Sequence, residues 1–206
     1  DLYEASYDTK KIDWNKAVKL KGTINTGFNE GTFSYDPVNK FAYYSQCNGA
    51  SGKQKQCNIM LAKYNVANNT WTESTIFSFN SEAFRTQQQS ISSDGNTLYF
   101  SSDMPGGQGG ADIYKIKKVN GTWGQPENLG TTINTIGNEM FPFLSGDSLL
   151  VFASDGLPGF GGLDIFTSII KDGSFSKPVN LMKPFNSSAD DFNLVFKDSR
   201  DNGYFC

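Results

Sequence analysis

Four residues frame the chemistry open to this chain. Glu30, Gln87, Glu139 and Asp191 fall at approximately the same place in successive segments of the sequence. Three carboxylates and an amide around one mouth of a channel would attract a cation or a basic peptide segment. Two carboxylates held about 5 or about 9 Å apart would have glycosidase spacing. Arg85 lies beside Gln87 and would neutralise such a ring. Plain solvated lining competes with both readings, and nothing in the sequence suggests a raised carboxyl pKa or a substrate groove.

Two further groups carry chemistry. Cys47 and Cys57 flank a polar loop, and a hairpin between their segments would bring the sulfurs together. A disulfide closing that loop would stabilise by roughly 2–3 kcal/mol in an exported protein. Two unpaired thiols on facing strand ends is the other reading. The glycine-rich runs Gly106 to Gly110 and Gly159 to Gly162 lead into Asp112 and Asp164. They lack the strand-to-helix setting and the Lys-Ser/Thr pair of a phosphate loop. Each Asp is expected to accept backbone amides of its own loop. Calcium held by Asp103, Asp112, Asp155 and Asp164 is a secondary reading of the same loops.

The chain has 206 residues, with 18 Lys plus Arg, 21 Asp plus Glu and no histidine. Without histidine the chain holds no Ser-His-Asp triad, Cys-His pair or His-ligated metal of its own. A net charge of −3 argues against a nucleic-acid surface. No apolar run approaches the roughly 18 residues of a membrane helix.

The elements that position these residues follow from a repeat. Leu98-Tyr99-Phe100-Ser101-Ser102-Asp103 returns as Leu150-Val151-Phe152-Ala153-Ser154-Asp155, 52 residues later and without a gap. Trp71, Trp123 and Phe175 keep the same 52-residue spacing, and Trp14 stands 57 residues before Trp71. Each unit reads as four short strands, with Asn120-Gly121 as a hairpin turn and Pro126 ending or edging the last strand. Four strands per unit give an all-β fold, a β-propeller of four-stranded blades. The expected domain is a single propeller or propeller fragment: a half-blade at 1–22, three complete blades at about 23–79, 80–131 and 132–185, and a half-blade at 186–206. The chain opens in the phase of a third strand and ends in that of a second, which favours a fragment. Tyr99, Phe100, Ile113, Tyr114 and their counterparts are expected to pack between blades rather than to stack on sugars.

The run from Leu98 to Asp103, the glycine loop, Asp112-Ile113-Tyr114 and Gly121-Thr122-Trp123-Gly124-Gln125-Pro126-Glu127-Asn128-Leu129-Gly130 resemble the Tol-type propeller repeat. More narrowly, with Ile24-Asn25-Thr26 and Ile133-Asn134-Thr135, they resemble the propeller of OmpA-family envelope proteins of Bacteroidetes, one relative of which belongs to the type IX secretion machinery. That resemblance implies a periplasmic or outer-membrane-associated protein, or one at the cell surface, that docks other cell-envelope proteins and is not an enzyme. It supplies no catalytic residues and no cofactor. The alternatives are a carbohydrate-binding or glycan-hydrolysing propeller and an extracellular structural module.

Overall fold

The computed structural model describes residues 1–48, 56–197, 200 and 202–206, so most of the loop between Cys47 and Cys57 lies outside the described residues. Every regular element among them is a strand, and no helix is long and apolar enough to cross a membrane.

The chain opens with four two-residue strands, β1 (Tyr3–Glu4), β2 (Tyr7–Asp8), β3 (Asp13–Trp14) and β4 (Val18–Lys19); β2 pairs with β3 and β1 with β4. The strands β5 (Asn29–Asp36), β6 (Phe41–Cys47), β7 (Cys57–Asn65) and β8 (Thr70–Ile76) form an antiparallel sheet in chain order. The next sheet takes β9 (Thr86–Ile91), β10 (Thr97–Ser102) and β11 (Asp112–Val119), with β12 (Thr122–Trp123) and β13 (Glu127–Asn128) both paired to β11. The third repeats it with β14 (Glu139–Ser145), β15 (Leu149–Ser154), β16 (Asp164–Lys171), β17 (Ser174–Phe175) and β18 (Val179–Asn180). A last hairpin pairs β19 (Val195–Phe196) with β20 (Gly203–Tyr204).

Local chemistry explains these bounds. Asn120-Gly121 and Asp172-Gly173 take left-handed φ values of 52° and 79°, and 51° and 76°, as a tight hairpin between twisted strands requires. Pro126 and Pro178 cannot donate to a ladder, and the fourth strand breaks around them into β12 and β13, and β17 and β18. The corresponding β8 has no proline and runs unbroken over seven residues.

Strand alternation then divides each sheet between two cores. Phe100 and Tyr114 join Tyr43 and Ile59 of the preceding sheet. Tyr99 and Ile113 join Phe152 and Phe166 of the following one. The aromatics thus pack between sheets, as expected.

An asparagine ties each sheet to the loop that leads away from it. Asn134 Oδ1 accepts the Ile113 N–H at 2.8 Å while its Nδ2 donates to the Ile113 carbonyl at 2.9 Å. Asn186 grips Ile165 in the same way, Asn80 grips Ile59 and Asn25 grips Leu2. The side-chain amide acts as one more residue of the ladder.

Candidate functional site

The ring of carboxylates at a channel mouth is not what these residues build. The Glu30 side chain is 0% exposed, Glu139 is 0% exposed and Asp191 9%. Each is folded back on its own loop. The Thr135 N–H and Oγ1 donate to Glu139 at 2.7 and 2.8 Å, and Ser154 Oγ donates to it at 2.6 Å. Asp191 accepts the Ser187 N–H and Oγ at 2.6 and 2.9 Å. Glu30 accepts the Thr26 N–H at 3.1 Å and the Thr26 hydroxyl. A Thr or Ser four residues ahead of each acid was the available signal for this role.

Gln87 does not belong to the set. Glu30 pairs with Gln46, and Glu139 with Ser154, but the residue opposite the equivalent Ser102 is Thr86. The ladder of β9 is offset by one residue from the gapless alignment. Thr86 is buried and its hydroxyl meets Asn80. Arg85 binds Asp103, its Nε 2.8 Å from Oδ2 and its N–H 2.6 Å from Oδ1, and is not spent on a carboxylate ring.

Environment separates the two glutamates. Burial works against ionisation of Glu30, but the Thr26 hydroxyl and amide and Gln46 outweigh it and hold its pKa below the ordinary 4.5. Burial of Glu139 prevails over its bonds from Ser154 and Thr135, the Asp112 charge adds to it, and the pKa rises above 4.5.

The remaining acids also serve loops. Asp155 holds Asn138 by its N–H and its side-chain amide at 2.6 and 2.8 Å, as Asp103 holds Arg85. Asp164 Oδ2 accepts the Phe160 and Gly161 amides at 2.8 and 3.1 Å. Asp112 Oδ2 accepts the Gln108 amide and, at 2.8 Å, the Asn128 side chain. The second oxygen, Oδ1, of Asp112 and of Asp164 is buried without a hydrogen-bond partner. Among the described residues no three acidic or cysteine side chains converge as a metal site, so the four aspartates do not form one cluster. Glycine is needed where these loops meet the next unit: a Cβ at Gly109 would overlap the Thr135 carbonyl, and one at Gly161 the Ala189 carbonyl.

Cys47 and Cys57 face each other at the open ends of β6 and β7, with Cα atoms 4.1 Å apart, and are joined as a disulfide. Cys47 stands where Asp103 and Asp155 stand in the later sheets. The covalent bridge therefore replaces a loop clamp.

Two of the concavities among the described residues have aromatic walls. The first, of about 650 Å³, is walled by β5, β9, β14 and the segment ending in β19, the first strand of each unit. Phe33, Tyr35, Phe141 and Phe143 give it apolar walls, Gln88 an amide, and Lys197 its single charge among the described residues. Glu30, Gln87, Glu139 and Asp191 do not line it. Bulges aim two of these walls, at Gln88 and Phe141 with φ of 56° and 54°, and Asn193, ahead of β19, takes a φ of 58°. The second, of about 540 Å³, lies between β1, β4 and the β5–β8 sheet over Phe33, Tyr35, Tyr64 and Trp71. Sequence reasoning did not find it, because it depends on which seam between sheets is left unfilled.

No protein-family model matches the chain, and no curated protein does. Solved structures do. A putative TolB from Agrobacterium tumefaciens superposes with a TM-score of 0.51 at 17% identity, over 82% of this chain and 56% of that one. An endo-arabinase from Bacteroides thetaiotaomicron gives 0.55 at 13% identity, over 98% and 87%. A puromycin-hydrolyzing peptidase from Mycobacterium tuberculosis gives 0.51 at 14%, over 83% and 24%. The chain spans about half the length of that TolB protein. At these identities the likeness is one of fold: an all-β architecture of the propeller type.

Proposed function

We propose that this chain is a non-enzymatic protein-interaction scaffold of the bacterial cell envelope. One observation carries the reading. The acids that sequence set forward for chemistry are tied to loop amides and hydroxyls, whereas the concave surface on offer is aromatic and amide-lined. Such a surface suits a polypeptide better than a reacting bond.

The finer parts of the reading rest on the sequence motifs. They are a propeller of three complete blades and two half-blades, a place in the periplasm or at the outer membrane, and kinship with OmpA-family and type IX secretion-associated proteins of Bacteroidetes. Calcium is a subsidiary proposal, motivated by the unpartnered Oδ1 atoms of Asp112 and Asp164. An unchanged Tm on adding calcium removes it.

Affinity capture from solubilised envelopes, with the immobilised chain, tests the main proposal. A specific envelope protein is expected, and absence of any specific partner counts against it. Binding or cleavage of arabino-oligosaccharides, with no protein captured, would favour the glycan alternative.

A further inference from the structure

We propose that the outer edge of β8 is a self-association site, where the β8 strands of two copies of this chain pair antiparallel across a two-fold axis. The inference is independent of the scaffold reading above.

The three large sheets each end at the rim in a fourth strand, and the rims differ in one respect. The Leu129 N–H donates to the Ile113 carbonyl at 3.1 Å, and the Leu181 N–H to the Ile165 carbonyl at 3.1 Å. These leucines turn their backbone into the sheet. By alternation Pro126 and Asn128, like Pro178 and Asn180, turn theirs outward. A proline at an outward position has no N–H to offer, which blunts the edge. In β8 the place of those leucines is taken by Phe77, whose N–H donates to the Ile59 carbonyl at 2.9 Å. Its outward positions are then Ser74 and Ile76, and both keep their N–H. Ile76 is 61% exposed where the other sheets carry asparagine.

Only the start of this edge is covered. The Trp71 N–H donates to the Lys21 carbonyl, and the Trp71 carbonyl accepts the Thr23 N–H, each at 2.9 Å. Past Trp71 no strand lies on the outer side of β8 among the described residues. The open stretch is short, and its residues select its occupant. An axis through Thr75 sets Ser74 of each copy opposite Ile76 of the other, so both outward residues of each copy exchange main-chain bonds. Glu73, the one charged residue of β8, then falls opposite Phe77 of the second copy and not opposite itself, which avoids a like-charge pair. The two Ile76 side chains become diagonal neighbours on one face, and apolar surface is covered on both copies. The same patch serves both sides, so the contact closes at two copies.

Sedimentation equilibrium of the 206-residue chain tests the contact. The weight-average mass is expected to rise from 22.7 kDa towards twice that value between micromolar and millimolar protein. Ile76→Lys, which sets like charges across the axis, should weaken association about tenfold or more. Val179→Lys, at an equally exposed position of the β18 edge, should leave it unchanged. Crosslinking reads the register, in a Cys206→Ser chain because Cys206 is an exposed free thiol. Thr75→Cys brings two sulfurs together at the axis, where facing Cα atoms lie about 4.5 Å apart, and should give a disulfide-linked dimer under mild oxidation. Glu73→Cys should not. Circular dichroism spectra are expected to match wild type for every variant. A chain that is monomeric throughout, an Ile76→Lys chain that associates like wild type, or equal crosslinking at the two cysteine positions overturns the proposal. A monomeric chain that still captures an envelope protein would remove this contact and leave the scaffold reading standing.

Discussion

Asn134 holds Ile113 by both halves of its peptide unit, with N–H to Oδ1 at 2.8 Å and Nδ2 to carbonyl at 2.9 Å. Both residues are buried, at 2% and 0% exposure. The loop that leaves one sheet is thereby stitched into that sheet before it starts the next, and Asn25, Asn80 and Asn186 repeat the stitch.

Asn134→Ala leaves the buried Ile113 N–H unmet, while the Ile113 carbonyl keeps the Leu129 N–H at 3.1 Å. Its expected cost is about 1–3 kcal/mol in urea unfolding. Asn25→Ala should cost less, because Leu2 and Asn25 are partly open to water. Equal losses at the two sites would show that the clamp is not what stabilises the loop.

Reducing Cys47–Cys57 releases a crosslink across 10 residues of chain. Roughly 2–3 kcal/mol should be lost. The Cys47→Ser/Cys57→Ser chain should match the reduced protein in Tm and be insensitive to dithiothreitol. A wild-type Tm unmoved by dithiothreitol would contradict this.

Gly109→Ala drives a methyl into the Thr135 carbonyl, whereas Gly27→Ala meets nothing within 4 Å. The first should cost about 1–3 kcal/mol as the junction is forced apart. The second should be nearly silent, and thermal melts of the pair provide the comparison.

The two glutamates should respond to pH with opposite sign. Glu30 has a lowered pKa, so it contributes stability above pH 4.5 that is lost as pH falls below 4.5 through its folded value. Glu139 has a raised pKa, so its contribution is present below pH 4.5 and is lost as pH rises through its folded value. Glu30→Gln should flatten the acid limb of a stability-against-pH curve, and Glu139→Gln the limb above 4.5. The same change in both variants would mean that their surroundings had been misassigned.

How far the sequence foretold this depends on the kind of feature. The sheets were legible because the aromatic runs and the Asn-Gly turn repeat at one spacing. The site was not, because that spacing hides compensating changes. Trp71 lies 9 residues before Asn80, but Trp123 lies 11 before Asn134. The unbroken β8 saves two residues, and the segments on either side of β9 return them. Gapless alignment therefore put Gln87 where the ladder puts Thr86. Burial was hidden for another reason. An acid satisfied by Thr135 and Ser154 looks, in sequence, the same as one facing water.

Tyr99 and Phe100 are neighbours in the chain but members of different cores. A sheet such as β9–β11 consequently has no interior of its own, and opening it would strip both adjoining seams at once. Partial melting is then disfavoured, and amides in the middle of β6, β10 and β15 should exchange with solvent through one shared opening event. The molecule would behave under load less like a row of beads than like an arch, in which each stone is held by the two beside it.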